Sequence, residues 1–229
     1  IRLRDLLRAL EAARTDKRID RVVLHLDELQ PSGFASLRDV ATAIAKVKAA
    51  GKQVIAHGEN FSQGQYLLAA QANKVYLDPM SQGGVMLEGL ASYRQYFREG
   101  LQDKLGVDMH LFKVGEYKSA AEPYILDAAS PEAKEADLFW MNDVWQRMLA
   151  DIGKARGLQP AALAANIDAR AEQVAGARGD LAQLALQQKL VDGLKTREEV
   201  EDLLAEGGEA DETADGGFRH VSLETYVMH

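Results

Sequence analysis

Residues 53–77 read Gln53-Val-Ile-Ala-His-Gly-Glu-Asn-Phe-Ser-Gln-Gly-Gln-Tyr-Leu-Leu-Ala-Ala-Gln-Ala-Asn-Lys-Val-Tyr-Leu77, and they decide the fold. Gln53–Ala56 and Lys74–Leu77 are short β-rich runs, and the Leu- and Ala-rich stretch from Gly64 to Ala72 between them reads as a short helix. Strand, helix and strand at this spacing predict a parallel βαβ unit, because parallel neighbours need a crossover connection. Upstream, Leu37, Val40, Ala41, Ile44 and Val47 recur at helical spacing and Gly51 follows as a helix stop. Before that helix, Arg21–Leu26 reads as a strand and Leu29-Gln-Pro-Ser-Gly33 turns the chain. A first amphipathic helix carries Leu3, Leu6, Leu7, Leu10 and Ala13. Downstream, Gly83-Gly84 precedes Val85-Met-Leu87, residues 92–105 suggest a helix, and Met109–Val114 predicts a fourth strand ending at Gly115. The expected fold class is therefore α/β with a parallel sheet.

Beyond residue 115 the character becomes helical. Ser130 can cap a helix with Pro131 at its first position, and Leu138, Met141, Trp145, Met148, Leu149 and Ile152 would line one side of it. Trp140 and Trp145 are expected in a core or a subunit interface. Thr196 and Glu199 form a capping box ahead of Val200, Leu203 and Leu204. Residues 206–217 are acidic and Gly-rich without an apolar anchor, which predicts a linker or disordered loop. Residues 218–229 alternate weakly through Val221, Leu223 and Tyr226, as in a strand that starts a following, truncated domain. Residues 1–205 make the main domain.

The 229 residues are 47% hydrophobic, enough to bury a core, and carry a formal charge of −8, which argues against nucleic acid as a partner. The absence of cysteine removes disulfides and thiol catalysis. No apolar run approaches the ~20 residues of a membrane helix. The chain opens Ile-Arg-Leu-Arg, so it is expected to be a piece of something longer, with any membrane anchor outside it. Lys118-Ser119 lacks the glycines of a phosphate loop, and no Gly-x-Gly-x-x-Gly follows a strand. His25, His57, His110, His220 and His229 show no metal-binding spacing, so neither metal nor cofactor is expected. A triad of Ser62, His57 and Asp27 can be written on paper, yet no Gly-x-Ser-x-Gly elbow supports it.

Four stretches carry a resemblance: Val114-Gly-Glu-Tyr-Lys-Ser-Ala-Ala-Glu-Pro123 followed by Ser130-Pro-Glu-Ala133, Glu59–Leu68 running into Ala72–Val75, Pro31-Ser-Gly-Phe34, and Lys189-Leu-Val-Asp-Gly-Leu194. Over nearly its whole length the chain resembles the signal peptide peptidase A (protease IV) family of serine/lysine peptidases. It is most similar to the N-terminal domain of the long, two-domain form. The resemblance implies a crotonase/Clp-protease-like spiral of βαβ units with a C-terminal helical arm. It assigns the general base to Lys118 within a peptidase domain spanning 1–205. The position of the family's nucleophile falls on Gln63, and of the two glycines in the family's oxyanion turn only Gly33 remains. The serine is thus expected from a C-terminal domain, in the same or a neighbouring chain. The resemblance further implies that Gly83 and Gly84 border the substrate cleft and that the substrates are cleaved signal peptides. It implies a homo-oligomer at the periplasmic face of the bacterial inner membrane, tethered only through an anchor outside this sequence.

Serine attack on a peptide carbonyl needs a neutral amine to take the hydroxyl proton. A free lysine, with a pKa of ~10.4, is under ~0.1% neutral at pH 7, so the role demands an amine removed from water. Either Glu116 or Glu122 beside the ammonium would oppose it, so both are expected to point away. Ser119 is a candidate for orienting the amine, and Ser62 is a weak alternative nucleophile. Two competing readings stay open: a catalytically silent domain for assembly or peptide binding, and an acyl-thioester enzyme on the same fold. The second would need a basic patch for its carrier. The fragment alone is expected to be inactive.

Overall fold

A computed structural model describes residues 2–228, in two compact units. Of these, the first comprises residues 2–88 and 149–228, and the second residues 89–148.

The first unit starts with α1 (Leu3–Thr15), β1 (Arg21–His25), α2 (Phe34–Ala49), β2 (Gln53–Gly58), β3 (Phe61–Ser62), α3 (Gln63–Ala69), β4 (Lys74–Leu77) and β5 (Val85–Met86). The chain returns to it with the end of α5 (Pro131–Arg156), then α6 (Pro160–Asp168), α7 (Arg170–Gly176), α8 (Leu181–Gln187), β6 (Gly193–Leu194), α9 (Arg197–Glu206) and α10 (Leu223–Met228). A four-stranded sheet runs in the order β1-β2-β4-β6 with every pairing parallel. The βαβ units read from the sequence are therefore present, with α2 and α3 as crossovers. Both faces of β2 and β4 are buried, as parallel sheets require. On one face Ile55 and Tyr76 pack with Val200 and Leu204 of α9, joined by Val23, Leu203 and Phe218. Alternation turns Val54, Ala56, Val75 and Leu77 to the other face, where α2 and α3 pack on each other. Gly51, just past α2, has φ +89, the left-handed conformation that ends helices. Tyr66 is fully buried, and its hydroxyl donates to Leu190 O at 2.6 Å.

In the second unit the chain makes a π-helical turn at Glu99–Lys104, the short α4 (Glu122–Ile125) and the start of α5. Three expectations are corrected here and at the C-terminus. Residues 92–105 form only that turn, because Tyr93 and Phe97 stay exposed and no apolar stripe is buried to reward a helix. Met109–Val114 is not a strand: all six residues are exposed and none joins a ladder, and a strand exists only as one side of a pairing. The weak alternation at 221–226 is a helix instead. Ser222 Oγ accepts Thr225 N–H at 3.2 Å, a cap that starts α10, and Tyr226 then donates to Asp16 Oδ2 at 3.1 Å. In α5, Met148, Leu149 and Ile152 are buried, while Leu138 and Trp140 are exposed. The acidic stretch before α10 contains one antiparallel bridge, Ala210 to Phe218.

Candidate active site

In the first unit, β3 and β5 form a second, two-stranded parallel sheet, with Phe61 opposite Val85 and Ser62 opposite Met86. Phe61 N–H donates to Gly84 O at 2.9 Å. Gly83 and Gly84 lead into β5, and close packing explains them. A Cβ on Gly83 would lie 2.0 Å from Glu59 O, and one on Gly84 2.7 Å from Leu181 Cβ. Gln63 opens α3, and its Oε1 accepts Glu88 N–H at 3.3 Å, so it bridges the starts of α3 and of the segment after β5. Gly33 precedes α2 with open space around it. One turn further on, Leu37 Cδ1 lies 3.2 Å from where a Cβ on Gly64 would be. Gln63 and the Gly83–Gly84 turn therefore lie beside the same small sheet, and the helix that follows Gly33 touches α3 through Leu37.

The residues of the paper triad are all engaged elsewhere. Ser62 caps α3: its Oγ accepts Gln65 N–H at 3.4 Å while Gln65 Oε1 accepts Ser62 N–H at 2.8 Å. His57 Nε2 faces Lys195 O at 3.1 Å, and its ring meets His25 edge-on at 6.5 Å between centroids. Burial lowers the His25 imidazole from its ordinary range, with Arg197 adding in the same direction. Asp27 Oδ1 accepts Glu59 N–H at 3.1 Å.

Sequence reading missed the buried Gln65, whose amide donates to Leu26 O at 2.7 Å and ties the end of β1 to α3. Also unforeseen is Arg170 of α7, whose Nη1 donates to Val85 O at 3.2 Å and Leu87 O at 3.3 Å. Gln65 carried a local signal in the Ser62-x-x-Gln65 capping pattern, whereas its bond to Leu26 and the bonds of Arg170 join residues remote in the chain.

Lys118 and Ser119 belong to the second unit. Lys118 is exposed, in a turn entered through Gly115 at φ +99 and left through a bond from Glu122 N–H to Ser119 O at 3.1 Å. Glu122 is only 1% exposed and is turned to the start of α5. Its Oε1 accepts Ser130 O–H at 2.6 Å and its Oε2 accepts Ser130 N–H at 3.1 Å. Those bonds from Ser130 hold its carboxyl below the usual range against the opposing effect of burial. Ser130 Oγ in turn accepts Ala133 N–H at 3.1 Å, the helix cap expected from the sequence. Tyr117 Oη donates to Glu135 Oε2 at 3.0 Å, which pushes the phenol up. Among the described residues no ion pair joins Lys118 to Glu116 or Glu122. No group of His, Cys, Asp or Glu among them could hold a metal ion.

A model of peptidase family S49 matches residues 46–211. Protease 4 of Salmonella typhi is 38% identical over 224 residues, 98% of this chain and 36% of that protein. Protease 4 of Haemophilus influenzae is 34% identical over 88% of this chain and 32% of its own length. The chloroplastic serine protease SPPA of Arabidopsis thaliana is 25% identical over 62% of this chain and 20% of its own length. The chain thus spans about a third of the length of the two bacterial relatives. Over most of its residues, and including the Lys118 turn, this chain belongs to peptidase family S49.

Proposed function

We propose that this domain supplies Lys118 as the general base of a serine/lysine endopeptidase, the nucleophilic serine coming from a further domain of the same or a neighbouring chain. The observation that carries the reading is the Lys118 turn itself. It presents Lys118 at the surface, while the buried Glu122 that follows it is spent on Ser130. Ser62 is committed to capping α3, which supports a nucleophile from elsewhere. Gln63 occupies the nucleophile position implied by the resemblance.

In the reaction, neutral lysine Nζ takes the proton from serine Oγ as Oγ attacks the scissile carbonyl. The resulting ammonium returns that proton to the departing amine as the C–N bond breaks. Water then attacks the acyl-enzyme, giving a proton to lysine Nζ, which passes it to serine Oγ as the ester C–O bond breaks and the acid product leaves. The docked serine-bearing domain dries the exposed amine, and drying is what makes a lysine basic at neutral pH. Backbone N–H groups near Gly33 and the Gly83–Gly84 turn would border the peptide, and Ser119 would orient the amine. The resemblance implies a crotonase-like spiral with a C-terminal helical arm for such a domain. The substrates are cleaved signal peptides and the assembly is a homo-oligomer at the periplasmic face of the inner membrane. Among the described residues no helix is long and apolar enough to cross a membrane, so the anchor lies outside them.

The exposure of Lys118 in this chain also favours a second reading, a catalytically silent domain used for assembly or peptide binding. Lys118→Ala in protein carrying both domains separates the two. Under the base assignment, peptide turnover and labelling of the serine by a serine-directed reagent fall by ~10²–10⁴-fold, the usual worth of a general base. Retained turnover rules the assignment out.

A further inference from the structure

We propose that Tyr117 and Glu122 are positioning residues for Lys118, holding its turn at two points against the first turns of α5. The inference rests on the reading of Lys118 as the base. Between Gly115 and α4 the chain has no sheet to hold it, and Met109–Val114 ahead of it pairs with no strand. A base carried on such a segment needs other restraints, because proton transfer requires approach to about 2.6–3.2 Å. The structure has two. One residue before Lys118, the Tyr117 hydroxyl reaches Glu135 at 3.0 Å. After it, Glu122 takes both the O–H and the N–H of Ser130, at 2.6 and 3.1 Å.

Both restraints end on one helix, so the turn is held from two sides by a single rigid element. The Glu122 end is the stronger. A carboxylate 1% exposed is costly unless its oxygens are satisfied, and here each oxygen has a donor at the positive end of a 26-residue helix. The Ser130 hydroxyl that donates to Glu122 also accepts Ala133 N–H, so releasing Glu122 disturbs the cap itself. The amide of Glu122 closes the turn on Ser119 O, which links the carboxylate's anchorage to the backbone beside Lys118. An Asp137–Arg94 ion pair at 2.9 Å holds a further segment of this unit to the same helix.

The test uses protein carrying both domains and a peptide substrate, with kcat and KM measured separately. Glu122→Gln keeps the shape but removes the charge and one of the two acceptors that Ser130 uses, and Tyr117→Phe deletes one hydroxyl from an exposed side chain. Expected are falls in kcat of ~10²-fold and ~10-fold respectively, with KM within about twofold, since a base displaced by 1 Å costs ~10²-fold. Ser130→Thr and Glu135→Gln, which keep a hydroxyl and an acceptor, retain kcat within about threefold, whereas Ser130→Ala does not. Circular dichroism on each variant gives the folded fraction. Wild-type kcat in folded Tyr117→Phe and Glu122→Gln, alongside inactive Lys118→Ala, overturns the positioning role and leaves the base assignment standing. Losses that track the folded fraction, or that the conservative variants share, also overturn it. Turnover in Lys118→Ala would remove the base assignment on which it rests.

Discussion

The two units of this chain keep their shape by different means. In the first, a parallel sheet is covered on both faces, and Val54, Ile55, Ala56, Val75 and Leu77 are wholly removed from water. In the second, the buried residues are Glu122, Ala133 and Met148, while Tyr93, Phe112, Val114 and Phe139 are more than four-fifths exposed. One is held by apolar burial and the other by polar bonds to α5 from Arg94, Tyr117 and Glu122. Burial is worth ~25 cal/mol per Å² and is insensitive to small displacements, whereas a hydrogen bond nets only about 1 kcal/mol and is lost within a few tenths of an ångström. Scaffold and proposed base thus sit at opposite ends of one chain's stability range, as expected where a functional segment must accept a partner.

The largest test of this contrast lies in the apolar side chains. Leu77→Ala in β4 is expected to cost about 2–5 kcal/mol in urea denaturation, and Phe112→Ser in the second unit less than about 0.5. Comparable losses at the two sites would erase the distinction. Glycines sharpen it on a smaller scale. Gly83→Ala drives a methyl group onto the Glu59 carbonyl and should cost about 1–3 kcal/mol. Gly100→Ala meets open space in its helical turn and should be neutral or slightly stabilising by the same measurement.

The smallest effect is acid sensitivity within the first unit. Asp192 is partly buried, which raises its carboxyl, but the bonds from Arg156 and Val75 N–H, both at 2.8 Å, together with the charges of Arg156 and Lys74 outweigh this and hold it below its ordinary value. The unfolded chain therefore takes up this proton first as pH falls. The stabilisation is complete above the unfolded value and drains away as pH drops through the folded one. Asp192→Asn should lower stability at pH 7 and flatten its decline below about pH 4, read from thermal melts. An unchanged acid slope would mean that the Arg156 pair contributes nothing.

What could be read from the sequence follows the same division. Residues 21–77 were legible because their periodicity is rewarded by burial, and caps such as Thr196 with Glu199, at 2.8 and 3.2 Å, are written within one turn. Met109–Val114 carries a strand's composition, but pairing is a relation to another segment that no local pattern contains. Ser222 decided the last helix through a single cap, against the weak alternation around it. The role proposed for Lys118 rests on the resemblance, since an exposed lysine after Gly-Glu-Tyr has no distinguishing local chemistry. The bonds from its turn to the start of α5 span 8 and 18 residues across a loop, longer than any helical or strand spacing, so periodicity gave no hint of them.

Arg170 has a consequence of another kind. Just before β5 the carbonyl of Gly84 faces β3, so alternation turns those of Val85 and Leu87 to the other side of the small sheet, where Arg170 donates to both. An unpaired strand margin is an open template for any passing extended chain. By occupying these two acceptors with one guanidinium, α7 closes that margin to further strands, so a chain losing Arg170 would become sticky before it became unstable.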